Sequence, residues 1–452
     1  MRAAHGSSSR LSRTLRSAHA YLPGLFLTLA LVLPAAAPAQ ESDADSIAVI
    51  ERGTPSIDGW DVAEFPFQVI TAPLYVLVLG LEQASQVADN VRFLRWIGYV
   101  NRELNQRSVY PTVTALGTGS GTGAAVLVGV PTRERGPWAH ATGSGTLKGY
   151  WRAMVRAGYG PETLRPGRGQ KFAANAVGFI DHRHQDEFFG IGRDSREDER
   201  SDYQLDQQFV GAELGLSATR NTVLRLSLDW SEVETGPGNN ARLPNTDSIF
   251  EPEQIPRFGD TDRYIALGGS AEWFKRDPGL LPGRRWLRVH LRWNDSRTGG
   301  AADFAEIGAS VGLVIPFYHD GRSLALEIGY QATRPDGDGE IPFYRLPTLG
   351  GTPSLPAYRT GRFRDRDLIL GRVEYTYRIW LSPHETYIFA ASIFLHGGMV
   401  AHDLADEFTF ARLRPSLGIA LSALTLTGSG ARLELAGGDE GLRVNFTFLA
   451  GY

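Results

Sequence analysis

From about residue 110 onward, apolar side chains fall on alternate positions. In RWLRVHLRWND, starting at residue 285, Leu287, Val289, Leu291 and Trp293 share one parity, and Arg288, His290 and Arg292 share the other. A β-strand sends successive side chains to opposite faces, so this segment has an oily face and a charged face. The pattern recurs: Leu224, Leu226, Leu228 and Trp230 oppose Arg225, Ser227 and Asp229, and Ile265, Leu267, Ala271 and Trp273 oppose Ser270 and Glu272. Near the end, Val373, Tyr375, Tyr377 and Ile379 oppose Arg372, Glu374, Thr376 and Arg378. In the last segment Leu442, Val444, Phe446, Phe448, Ala450 and Tyr452 oppose Arg443, Asn445 and Thr447.

A soluble sandwich also alternates. These segments, however, run to roughly ten residues, beyond the ~5–6 usual for soluble strands. Trp and Tyr gather near the ends of the oily stripes, as in the aromatic girdles of membrane barrels. The charged faces suit a hydrated lumen. The pattern predicts an antiparallel transmembrane β-barrel of about sixteen strands, spanning 111–452. The expected strands are 112–119, 121–130, 138–145, 147–159, 170–181, 202–217, 220–233, 262–275, 284–296, 303–316, 322–332, 366–380, 385–397, 412–424, 430–437 and 441–452. The long connections at 182–201, 234–261, 333–365 and 398–411 all follow odd-numbered strands, so they emerge on one side. Long outer loops and short periplasmic turns are the habit of outer-membrane barrels.

The N-terminus reads differently. An Arg-rich head, the short apolar run YLPGLFLTLALVL and the small residues AAAPAQ predict a signal peptide over 1–39, cleaved after Ala39. LEQASQVADNVRFLRWIGYVNRELNQ has apolar residues at helical spacing, so 40–110 reads as a short periplasmic lead with a helix. The expected location is the outer membrane of a Gram-negative cell.

Composition narrows the function. The net charge of −4 offers no electrostatic case for nucleic acid binding. Cysteine is absent, which excludes disulfides, thiolate metal sites and a cysteine nucleophile. Gly119, Gly121 and Ala124 form a Gly-x-Gly-x-x-Ala run, but strand-like AAVLVGV follows where a phosphate-binding helix would be needed. Asp181, His182 and His184 could share a metal, yet no second cluster completes a ligand set, and they read better as a solvated loop entrance. Ser392 and His396 share a parity, but it faces the lumen rather than lipid. No enzymatic activity and no cofactor are expected.

The remaining feature is a loop beginning Gly350-Gly351 and dense in arginine, with Arg359, Arg362, Arg364 and Asp365 ahead of the twelfth strand. Together with EFFGIGRDS (187–195), GGTPSLPAY, GRFRDRDLIL, VEYTYRI, GSGARLEL and GLRVNFTFLAGY, it resembles the BamA/TamA superfamily of outer-membrane insertases and two-partner secretion transporters, whose domain is also called the bacterial surface antigen domain. The resemblance covers roughly 110–452. It implies that the loop folds into the lumen, with a tip that in the superfamily reads Leu/Val-Arg-Gly-Tyr/Phe. That tip Arg meets an acid in a Phe-x-Asp-x-Gly pattern on the wall. Here the tip aligns as Leu355-Pro356-Ala357-Tyr358, and FLHGG places His396 where the acid belongs. Both halves of the charge pair are replaced together, which avoids an uncompensated buried charge.

The expectation is therefore another lock, with Arg359, Arg362 or Arg364 pairing with Glu374 or Glu272. The superfamily's usual periplasmic modules have no counterpart in 40–110, so the resemblance is to short, barrel-only members. It implies insertion or translocation of protein or lipid at the outer membrane, with a passive channel or a structural surface protein as the alternative. Expected partners are outer-membrane lipid and lipopolysaccharide, the barrel assembly machinery acting on this chain as a client, and a separate periplasmic protein. The client signal would be Phe446, Phe448 and Tyr452.

Overall fold

The computed structural model describes residues 109–114, 123–130, 136–147, 149–277, 283–317, 321–337, 339–352, 354–381, 387–425 and 430–449. The expected signal peptide, the helix expected within 40–110, the Gly119–Gly121 run, the side chain of Phe448, and Tyr452 lie outside the described residues.

Alternation carried through a long chain leaves each strand one neighbour on either side, and the strands pair in chain order. They are β1 Val109–Thr114, β2 Gly123–Val130, β3 Pro137–Thr146, β4 Trp151–Tyr159, β5 Phe172–Phe188 and β6 Ser201–Thr219. Next come β7 Thr222–Pro237, β8 Thr261–Arg276, β9 Arg284–Ser296, β10 Asp303–Pro316 and β11 Arg322–Asp336. The short pair β12 Thr348–Leu349 and β13 Phe363–Arg364 lies within the arginine-rich loop. The series closes with β14 Asp367–Leu381, β15 Tyr387–Ala401, β16 Arg414–Thr425, β17 Gly430–Gly438 and β18 Gly441–Leu449. One sixteen-stranded sheet contains all of them except β12 and β13, with β11 followed by β14. Every ladder is antiparallel, and among the described residues none joins β18 back to β1.

The faces divide as the alternation requires. Val155, Val210, Leu226, Leu267, Leu291, Ile328, Leu395, Leu433 and Val444 are exposed on one face. A protein in water would bury such a belt; hydrocarbon is the solvent that matches it. On the inner face the charges meet each other. Arg152 reaches Asp181 at 2.6 Å, Arg292 reaches Asp229 at 2.5 Å, and Glu272 receives Arg225 at 3.0 Å and Arg288 at 3.1 Å.

Several strands run further outward than the alternation suggested. β5 ends at Phe188, β7 at Pro237, β11 at Asp336 and β15 at Ala401. Above the belt the contrast changes while the ladder continues: β15 is buried on both faces from Gly398 to Ala401, whereas β7 turns polar on its outward side, with Glu234 exposed. The Asp181–His184 cluster therefore lies inside β5 rather than at a loop entrance. Asp181 is held by Arg152 and Arg183, and His182 pairs with Asp206 of β6.

The two faces should respond differently to charge. Leu226→Arg, mid-belt on the lipid face, is expected to destabilise the folded barrel by ~2–4 kcal/mol. Ser227→Arg, one residue along on the lumen face, should cost far less. Urea titration of the refolded protein in vesicles measures both.

Candidate functional site

Residues 337–366 leave β11 at the outer end and cross the mouth of the barrel twice. The first pass is anchored on the inner faces of β5 to β8. Phe343 packs edge-on against Phe188 and Tyr203, with ring centres 5.1 Å apart in each case. Tyr344 donates its hydroxyl to Asp262 at 2.8 Å, and Arg345 donates to Ser231 Oγ at 2.8 Å. Leu205, Val233, Phe250 and Ile255 complete this apolar cluster. Phe343, Tyr344 and Arg345 were not singled out in the sequence, because a lone aromatic pair in a loop carries no periodicity.

The chain then turns at Gly350 and Gly351, whose φ angles are +120° and +82°. A Cβ on Gly350 would lie 2.1 Å from the Arg359 carbonyl, so both conformation and space demand glycine. The turn is closed by Gly351 N–H donating to the Tyr358 carbonyl and Tyr358 N–H donating to the Leu355 carbonyl.

The tip, Leu355-Pro356-Ala357-Tyr358, is buried against the opposite wall. Leu355, Ala357 and Tyr358 pack with Phe363, Leu370, Phe394, Ala420 and Ala436. Its polar contacts are made by backbone groups and by the Tyr358 hydroxyl. The Ser354 carbonyl accepts from His396 Nδ1 of β15 at 2.9 Å. Ala357 N–H donates to Ser416 Oγ of β16 at 3.0 Å, and Asn445 of β18 donates to the Pro356 carbonyl at 2.9 Å. Asp439 N–H donates to the Tyr358 hydroxyl at 3.3 Å. The tip thus touches β15, β16, the last turn and the last strand.

The loop arginines do not take the partners expected from sequence. Glu374 is already bound by Arg432 of β17, at 2.7 and 3.2 Å, and Arg432 also holds Glu434 at 2.6 Å. Glu272 lies toward the other end of β8, held by Arg225 and Arg288. Both acids are thus already neutralised by wall arginines; the wall acids the loop does reach are others, Asp262 of β8 through Tyr344 and Glu187 of β5, 4.0 Å from Arg359.

The loop arginines turn instead to the outer connections. Arg362, only 3% exposed, donates to Glu440 at 2.7 Å and to both Oγ and the carbonyl of Ser195, at 2.8 and 2.7 Å. Its guanidinium carbon lies 5.1 Å from the Phe189 ring centre and 4.6 Å from that of Phe363. A planar fork with five donors and two stackable faces suits such a site, and a lysine could not fill it. Arg364 donates to the Phe343 carbonyl at 3.0 Å, over the rings of Phe188 and Phe343, while Gly192 N–H donates to the Arg364 carbonyl at 2.7 Å. Arg359, more exposed, reaches Glu197 at 3.4 Å. Asp365 accepts from the Arg366 N–H at 2.8 Å, and burial raises its carboxyl above the usual range.

A second inward segment had no signal in the sequence. Residues 160–171 join β4 to β5 on the short-turn side. Leu164 is buried against Ala173, Gly215 and Val223, which carry the lumen parity of β5, β6 and β7. Arg225 donates to the Leu164 carbonyl at 2.6 Å, and Asn175 to the Glu162 carbonyl at 2.8 Å. Both inner-face donors hold this segment into the short-turn end of the lumen. The arrangement is a barrel occupied near both mouths, with the outer loop tied to its last strand.

Residues 167–435 match the Omp85 superfamily domain. No curated protein sequence matches the chain. Among solved structures, BamA from Haemophilus ducreyi lacking POTRA domains 1-3 is similar with a TM-score of 0.52, at 14% identity, over 76% of this chain and 69% of that one. CdiB from Escherichia coli follows with a TM-score of 0.49, at 11% identity, over 77% of this chain and 63% of that one. This chain therefore spans less than two thirds of that CdiB chain. Likeness at such identities concerns the fold.

Arg362→Ala is expected to release the loop by ~3 kcal/mol, the scale for removing one partner of a buried ion pair. Limited proteolysis within 337–366 should become markedly faster, with Arg362→Lys intermediate. The two inward segments are obstructions in series, so Arg362→Ala and Leu164→Asp should each leave conductance low. The double variant should open a steady conductance in planar bilayers.

Proposed function

The chain belongs to the Omp85 superfamily, and on that premise we propose that this outer-membrane β-barrel assists the insertion or translocation of protein or lipid at the outer membrane. The observation that carries the reading is the loop tip seated on β16 and β18, through Ser416 and Asn445. A loop seated across the mouth works against free passive flow. A translocating or inserting barrel needs a closed resting state that a client can displace.

The end of the sheet lends further support. Among the described residues no ladder joins β18 to β1. An unpaired strand edge is a template for another strand. Here that edge is borne by the strand that holds the loop tip, so engaging a client strand and loosening the loop would be coupled through β18. The Arg362–Glu440 pair adds a second tie just ahead of the same strand.

The role is mechanical, with no covalent step and no cofactor. Its setting would be outer-membrane lipid with lipopolysaccharide, with a separate periplasmic protein delivering clients. Phe446, Phe448 and Tyr452 would serve when this chain is itself assembled by the barrel assembly machinery.

The test uses refolded protein in liposomes, scored for the folding rate of a second outer-membrane barrel. Several-fold acceleration over empty liposomes is expected, together with no steady conductance in the unmodified protein. Unaltered folding rates beside a steady open conductance would instead make this a passive channel.

A further inference from the structure

The outer ends of β11, β14 and β15 break the pattern of the lipid-facing wall. Val373 and Leu395 are 42% and 51% exposed on that wall. Asp367 and Met399 have the same parities on the same strands, further outward, yet each is 1% exposed. Ala332 and Ala401 are covered in the same way. The connection 402–413 accounts for the cover, because Leu404 N–H, opening the helical turn Leu404–Glu407, donates to Asp367 Oδ2 at 2.9 Å. Leu413, at its other end, comes within 4.0 Å of the position a Gly397 side chain would take on that face. This outer connection is thus seated over the upper part of the lipid-facing surface.

The height of that seat follows from charge. Asp367 pairs with Arg334 through both terminal guanidinium nitrogens, and Arg334 also donates to the Tyr330 hydroxyl at 3.2 Å. Arg334 and Tyr330 share the parity of lipid-facing Ile328. Ionised groups on that wall are expensive in hydrocarbon and much less so at its boundary. The edge of the hydrocarbon therefore falls between Val373 and Asp367. His182 and Asp206, paired on the same lipid-facing parity of β5 and β6, mark a comparable edge elsewhere on the barrel.

The segment seated at this boundary bears an exposed aromatic pair. Phe408 and Phe410 stack edge-on with centres 5.2 Å apart, and Phe410 is 82% exposed. Two phenyl rings held outward on a loop are unfavourable in water. At the membrane interface the same rings gain by leaving water, which is where barrels concentrate aromatics. We infer that the 402–413 connection is an interfacial foot, with Phe408 and Phe410 inserted among the lipids of the outer leaflet. The occupant is lipid rather than protein because the foot is continuous with the apolar belt directly beneath it.

The chain has no cysteine, so a single introduced cysteine labels one site alone. Nitroxide labels are placed on Phe410→Cys, on Leu267→Cys in the belt, and on Ala241→Cys in another outer connection. The full chain is reconstituted in phosphatidylcholine vesicles, and relaxation by dissolved oxygen is compared with relaxation by a water-soluble nickel chelate. The label at 410 is expected to favour oxygen several-fold over its counterpart at 241, approaching the label at 267. A label at 410 that follows 241 would overturn the inference. Shielding from both relaxers would also overturn it, pointing to contact with another protein surface. A Phe408→Ser/Phe410→Cys variant, which removes the stacked neighbour, should shift the label toward the nickel chelate.

Discussion

Hydrocarbon offers no hydrogen-bond partners, and that constraint organises the molecule. Backbone groups in the membrane must pair with neighbouring strands, and side chains facing lipid must be apolar. Sixteen strands paired in chain order meet the first demand along the sheet, and among the described residues only its two end strands have a single neighbour. The alternation of Leu224, Leu226 and Leu228 with Arg225, Ser227 and Asp229 meets the second. An interior lined with arginine and acid follows, because the residues that cannot face lipid have one other direction to point.

A charged interior then sets its own rules. Arginine on the inner wall has to find an acid nearby, on its own strand, on an adjacent strand, or on a strand two or three places round the sheet. Arg432 lying between Glu374 and Glu434, and Glu272 between Arg225 and Arg288, are networks of this kind. They occupy Glu374 and Glu272, so the loop reaches the wall at other acids, Asp262 through Tyr344 and Glu187 beside Arg359. The loop is consequently fastened by backbone groups at its tip, by aromatic packing at Phe343, and by Arg362 among the outer connections. Such a fastening has no single essential charge pair on the wall. It can be released piecewise, as suits a closure that must yield to a client without unfolding the barrel.

The molecule is asymmetric around its circumference. The first pass of the loop is anchored on β5 to β8, and the inward segment at 160–171 on β5 to β7. The tip is anchored on β15 to β18, beside the end of the sheet. Forces applied to β18 would reach the loop tip through Asn445 and Arg362 without first disturbing the far wall. The aromatic segment at 402–413 lies between these features and the lipid, over β14 and β15.

The strands and their order were legible in the sequence because period-two alternation is enforced residue by residue by the solvent on each face. Strands β9 and β10 fall at the expected limits, Arg284–Ser296 and Asp303–Pro316. Where the outward face ceased to be apolar, above the belt, β5 and β7 ran on unannounced. The loop was recognisable from Gly350-Gly351 and its arginines, and the tip from Leu355 to Tyr358. Its partners were not, because Ser195, Glu440, Ser416 and Asn445 lie far from it in the chain. Only the closing of strand upon strand brings them within 3 Å of it. Leu164 gave no sign for the same reason: a leucine in a turn is ordinary until three strands curve round it. The sequence by itself determined which face of each strand meets lipid, a local property of alternation. The tertiary structure alone decided which charges pair and what fills the lumen, because those depend on contacts between residues that alternation leaves equivalent.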